Sequence, residues 1–129
     1  NRILSELSSG ERQRVSLARA FYQAPKTVFL DEAMSQLDLH HQHNLGRVLE
    51  SYSKKGVSFI LVSHDLNFTT HLANRLVLIS KGKLVADGEA VSVLTAENLK
   101  KLYPGAEFDF SPRPGGGTPL VHFRSSSAT

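Results

Sequence analysis

The chain has 129 residues, 40% of them hydrophobic and 21% charged, with a formal net charge of +3 and no cysteine. This composition fits a soluble α/β domain or part of one; no apolar run approaches the ~18 residues of a membrane span, so a membrane role must come through a partner. The positive charge is modest and nothing in the sequence resembles a dense basic nucleic-acid patch, and the lack of cysteine excludes disulfides without fixing a compartment.

Leu7-Ser8-Ser9-Gly10-Glu11 opens a predicted helix from Gly10 to Gln23. Val15, Leu17, Ala18, Ala20 and Phe21 supply its apolar positions, and Arg12, Gln13, Arg14 and Arg19 its wet ones. Serines and a glycine at such a start either cap the helix or leave its first N–H groups aimed at an anion such as phosphate. Thr27 to Leu30 reads as a strand that stops at Asp31 and Glu32. Two acids at a strand end make either a solvated acidic turn or, in a parallel sheet, whose strand carboxyl ends line the ligand crevice, a pair that faces a ligand. Asp31 suits a magnesium ion, which takes oxygen ligands, and Glu32 is suited to orient and polarise an attacking water.

Asp38 is the predicted N-cap of a helix from Leu39 to Lys54, with Leu45, Val48, Leu49 and Tyr52 on its buried stripe. His40, His41 and His43 invite a metal reading, but no acidic or cysteine partner stands at ligand spacing, which favours a solvated helix start. A second strand, Val57 to Val62, ends in Ser63-His64-Asp65 and repeats the delivery of polar groups to a strand end. As chain neighbours these three cannot form a nucleophilic triad, and His64 is read as a phosphate-sensing residue. A short helix from Leu66 to Ala73 follows, then a hairpin of Arg75 to Ser80 and Lys83 to Asp87 about Lys81-Gly82, then helices Ala90 to Leu94 and Ala96 to Tyr103. Beyond Pro104 a Pro-, Gly- and Ser-rich tail is expected, in which Pro119 to Phe123 can pair as a last strand and Ser125 to Thr129 are disordered.

In this order the segments resemble the C-terminal part of the ATP-binding subunit of ABC transporters. Leu7-Ser8-Ser9-Gly10-Glu11 resembles the family signature, with Ser9 where glycine is usual and Glu11 where glutamine is usual. Val28-Phe29-Leu30-Asp31 resembles the second Walker motif, Glu32 falls on the catalytic glutamate and His64 on the switch histidine. Ser35-Gln36-Leu37-Asp38 resembles the loop that touches the partner subunit, while Ala33 stands where proline is usual. The resemblance covers residues 1 to about 103 and implies an α/β fold, the C-terminal part of a P-loop NTPase domain with a mostly parallel sheet flanked by helices; residues 104–129 are the tail.

The resemblance also implies ATP and magnesium as cofactors. Glu32 and His64 would be catalytic, Ser8, Ser9, Gly10, Glu11 and Asp38 would contact nucleotide, and Asp31 would hold magnesium through water. Because ATP in this family lies between the phosphate loop of one subunit and the signature of the other, Asp31, Glu32 and His64 would serve one composite site while Ser8, Ser9 and Gly10 close the other. The implied partners are a second copy of the subunit, polytopic permease subunits and, indirectly, a periplasmic substrate-binding protein, at the cytoplasmic face of the inner membrane, with no nucleic acid.

No G-x-x-x-x-G-K-[ST] stretch occurs in the 129 residues. Gly115-Gly116-Gly117-Thr118 lacks the lysine, the preceding strand and the following helix, and reads as a loop. With Asn1 only a few residues ahead of the signature, the chain is expected to be a fragment that neither holds ATP tightly nor turns it over. Ser63 to Asn67, Lys83 to Gly88, Val93-Leu94-Thr95, Asn98-Leu99 and Leu102-Tyr103 resemble importers of cobalamin, haem and ferric siderophores, with Glu11 and Met34 tilting towards the cobalamin type. A soluble ABC ATPase acting on ribosomes or DNA, and a remnant that binds without hydrolysing, are the alternatives.

Overall fold

A computed structural model describes residues 7–35 and 37–124, apart from the side chain of Ser9. Gln36 of the partner-touching loop and Ser125 to Thr129 of the expected disordered end lie outside the described residues. The chain divides into two compact units, Asn1–His64 and Asp65–Thr129.

The first unit runs α1 (Ser9–Tyr22), β1 (Thr27–Asp31), α2 (Leu39–Ser53) and β2 (Ser58–Val62). Alternation sets the faces of β1: Val28 and Leu30 are buried, whereas Thr27, Phe29 and Asp31 are exposed. β1 and β2 pair in parallel from Thr27 opposite Ser58 to Asp31 opposite Val62, so both strands end at the same edge. Met34, Leu45 and Leu49 are buried with Val28 and Leu30, and Phe21 of α1 stacks on Tyr52 of α2 at 4.2 Å. Of the expected stripe on α2, Leu45 and Leu49 are buried, joined by Gly46, Tyr52 is half-buried and stacked on Phe21, and Val48 is exposed.

The second unit runs α3 (Leu66–Leu72), β3 (Arg75–Ser80), β4 (Lys83–Glu89), α4 (Ala90–Val93), α5 (Ala96–Leu102), β5 (Glu107–Ser111) and β6 (Leu120–Arg124). β3 and β4 are antiparallel, and Lys81 and Gly82 both take positive φ, 50° and 73°, the pairing that a two-residue hairpin turn of matching twist needs. Leu76, Leu78, Ala90, Val93, Leu94, Leu99, Phe108 and Val121 form its core, with Leu99 fully buried. Past Pro104, where composition alone predicts a tail with one strand, β5 and β6 form an antiparallel hairpin that contributes Phe108 and Val121 to that core. The glycine cluster lies in the connection between them, its three residues at φ 85–88°.

Candidate functional site

The site is built at the shared carboxyl edge of β1 and β2. The Glu32 N–H donates to the Val62 carbonyl at 2.9 Å, which carries the parallel ladder one residue past β1 and brings Glu32 level with the exit of β2. His64 follows two residues later, and its Nδ1 lies 2.9 Å from Glu32 Oε1, the ring N–H donating to the carboxylate. The pair faces solvent, with 76% of the His64 side chain and 40% of the Glu32 side chain exposed. Asp31 is exposed on the face opposite the buried Val28 and Leu30. The sheet edge therefore presents two carboxylates and an imidazole to solvent from adjacent strand ends.

Glu32 sits in the left-handed region at φ 48°, a conformation that costs a residue with a Cβ about 1–2 kcal/mol. The turn that imposes it is closed by Ser35, whose N–H and hydroxyl both donate to the Glu32 carbonyl, at 3.1 and 2.8 Å. The following residues are fastened from both helices: Gln13 of α1 donates to the Ala33 carbonyl, and Gln42 of α2 donates to the Met34 carbonyl at 3.2 Å. Gln13, expected on the wet face of α1, is instead half-buried, because the Ala33 carbonyl gives its amide a partner away from water. A polar residue on an amphipathic helix does not declare such a partner from sequence.

At the start of α1, Ser8 is the N-cap. Its hydroxyl accepts the Glu11 N–H at 3.2 Å, and Glu11 Oε2 accepts the Ser8 N–H at 2.9 Å, a reciprocal capping box. This cap serves the third N–H of the helix; the N–H groups of Ser9 and Gly10, ahead of it, have no acceptor within a helix. A Cβ added at Gly10 would stand 3.8 Å from Leu37 Cδ2, so the start of α1 and the loop entering α2 are neighbours. Asp38 caps α2 as expected, accepting the His41 N–H and the His41 Nδ1–H on one oxygen, both at 2.8 Å. Those bonds hold its carboxyl below the ordinary carboxylate range. The Asp38–His41 pair escapes the ligand-spacing count because a cap side chain folds back over the first turn. His40 pairs elsewhere, with Asn44 at 3.0 Å.

Comparison with known proteins bears on this edge directly. Residues 1–35 match the model of the ABC transporter family. A hemin import ATP-binding protein, HmuV, of Escherichia coli O157:H7 is 41% identical over 128 residues, covering 94% of this chain and 50% of the relative. Its namesakes in Bordetella avium and Rhodococcus jostii are 39% and 36% identical, covering 92% and 94% of this chain and 49% and 41% of themselves. Among solved structures, an inward-facing metal-chelate type ABC transporter superimposes with a TM-score of 0.82 at 26% identity, over 98% of this chain and 51% of that one. The fold is the C-terminal part of an ABC ATPase domain. A second cassette of an ABC transporter, MJ1267, agrees over 81% of this chain and 43% of its own, with a TM-score of 0.69 at 25% identity. This ABC ATPase segment spans about half the length of the curated relatives it matches.

Within that fold the structure brings Asp31, Glu32 and His64 to one edge and sets Ser8, Gly10 and Glu11 at the start of α1. The donor set fits the group the fold family binds. Asp31 offers hard oxygen ligands from an exposed strand end, and the first N–H groups of a helix of 14 residues suit phosphate oxygens.

Proposed function

We propose that this chain serves as the catalytic-carboxylate and signature portion of a transport ATPase, coupling ATP hydrolysis to uptake of an iron chelate across the inner membrane. The observation that carries the reading is the Glu32–His64 pair at the joint end of two parallel strands, 2.9 Å apart and open to solvent. In this reading Glu32 accepts a proton from the attacking water, and His64, which already donates from Nδ1 to Glu32, holds the carboxylate in place and presents the rest of its ring to a terminal phosphate. Asp31 holds magnesium through water, and bound magnesium supplies charge neutralisation on the phosphates. Ser8, Ser9, Gly10 and Glu11 close over nucleotide held by a second copy, and Asp38 lies on the loop between the copies.

The cargo reading follows the names of the relatives. Several proteins 34–41% identical to this chain are called hemin import ATP-binding proteins, which favours an iron-porphyrin chelate over the cobalamin to which Glu11 and Met34 alone tilt. The partners are then a permease dimer and, through it, a periplasmic binding protein, with the ATPase peripheral to the membrane. No described helix is long and apolar enough to cross a membrane.

The test is gentle detergent extraction of the whole protein, affinity purification and identification of what accompanies it. A polytopic membrane dimer is expected, with ATP turnover stimulated by hemin-loaded binding protein more than by cobalamin or ferric siderophore. Recovery with ribosomes or DNA, and no membrane protein, would overturn the transport reading.

A further inference from the structure

Three successive carbonyls of the turn after β1 are each held by a donor. The Glu32 carbonyl accepts the Ser35 N–H and hydroxyl at 3.1 and 2.8 Å, and the Ala33 carbonyl accepts the Gln13 carboxamide of α1. The Met34 carbonyl accepts the Leu37 N–H at 3.1 Å and the Gln42 carboxamide of α2 at 3.2 Å. Ala33 and Met34 are buried and both glutamines are half-buried, so a carbonyl that lost its amide would not simply be handed to water. On the other side of Glu32, its own N–H is tied to the Val62 carbonyl of β2 at 2.9 Å. The residue between these ties is the one held at φ 48°. A side chain with a Cβ keeps such a backbone only where the surroundings over-determine it.

We propose that Gln13 and Gln42 are positioning residues for Glu32. By fixing the two peptides that follow it, they keep its backbone left-handed and its carboxylate 2.9 Å from His64 Nδ1. The proposal rests on the reading of Glu32 as the base. Gln13 carries the greater share: the Met34 carbonyl retains the Leu37 N–H when Gln42 is lost, whereas Gln13 is the donor found on the Ala33 carbonyl among the described residues. Release of the turn lets Glu32 relax out of the left-handed region and turns its carboxylate off the imidazole. That costs orientation, and so rate, more than nucleotide affinity.

Gln13→Met and Gln42→Met keep side-chain length and remove the donor. In the whole protein, hydrogen exchange of the Glu32 and Ser35 amides should rise about tenfold in Gln13→Met, while the α2 amides from Leu45 to Leu49 keep their protection. The same variant should lower kcat about tenfold with the half-saturating ATP concentration unchanged, and Gln42→Met should lower it about threefold. In a Glu32→Gln background, Gln13→Met should bring no further loss, because placement no longer matters to a group that cannot take the proton. Unchanged exchange overturns the clamp. Faster exchange with unchanged kcat, or an equal loss in both backgrounds, overturns the positioning role. If Glu32→Gln loses turnover while Gln13→Met keeps it, this proposal alone falls; if Glu32→Gln keeps turnover, the reading of Glu32 falls and the positioning role with it. Should Gln13→Met fail to fold, Gln42→Met decides the same measurements.

Discussion

At the scale of single residues, the chemistry divides between groups that act and groups that hold them. Glu32→Gln preserves shape and the bond from His64 but cannot take a proton, so the whole protein should keep nucleotide binding and lose about 10²–10⁴-fold in turnover. Hydrolysis within a few-fold of the parent would assign the base elsewhere. Asp38 gives a pH prediction whose sign is fixed by geometry. Its bonds from His41 lower the folded carboxyl below its ordinary value of 3.8, so its contribution to stability is complete above that value and fades as pH falls through the lowered one. Asp38→Asn, which still caps, should flatten this part of an acid-unfolding curve; identical acid transitions in both proteins would refute it. That Glu32 and His64 stand at neighbouring strand ends was legible in the sequence because two apolar runs stop abruptly at polar groups, whereas Gln13 and the Asp38–His41 pair depend on folded geometry that no spacing rule carries.

At the scale of elements, hydrophobic period decided most of what could be read, and of the caps Asp38 and the Ser-Ser-Gly start of α1 were read while Asp65 and Thr95 emerge with the structure. Ser8, Asp38, Asp65 and Thr95 each cap the helix they precede, and α1, α2, α3 and α5 begin and end within a residue of where the pattern puts them. The β5–β6 hairpin was harder to see, since Gly and Pro between its strands mimic a disordered tail and the Phe108–Phe123 contact across it joins residues far apart in sequence. Phe108 lies 4.9 Å from Phe123 and 6.0 Å from Tyr103, ring centre to ring centre. The fully buried Leu99 is where α5 meets this core. Leu99→Ala should cost about 2–5 kcal/mol in denaturant unfolding of the second unit, through lost transfer energy and the cavity left behind. A loss below about 1 kcal/mol would mean that the core closes over the gap.

At the scale of the whole molecule, half a cassette predicts half a function. The carboxylates, the histidine and the capped helix start are present, but no stretch of the 129 residues has the glycine-rich lysine motif that cradles phosphates. The chain of 129 residues by itself should therefore show no micromolar ATP binding by calorimetry and no steady phosphate release; either result would mean that the strand-end carboxylates and helix start suffice. The outer face of the parallel pair points the same way. Phe29, Ile60 and Val62 are exposed there, Phe29 by 72%, whereas parallel strands in α/β proteins are covered on both faces. The sequence marks β1 as an apolar run without saying which of its faces this chain itself covers.

The left-handed backbone of Glu32 has a consequence for how this position tolerates change. Glycine at residue 32 relieves a steric penalty of about 1–2 kcal/mol against an entropy loss of about 0.5–1 kcal/mol, while alanine removes the carboxylate and keeps the penalty. Glu32→Gly should accordingly melt above Glu32→Ala, although on the proposed role of Glu32 both lose turnover. Selection for durability alone would thus drift towards glycine here, so on the proposed role of Glu32 this position gives up backbone ease for turnover.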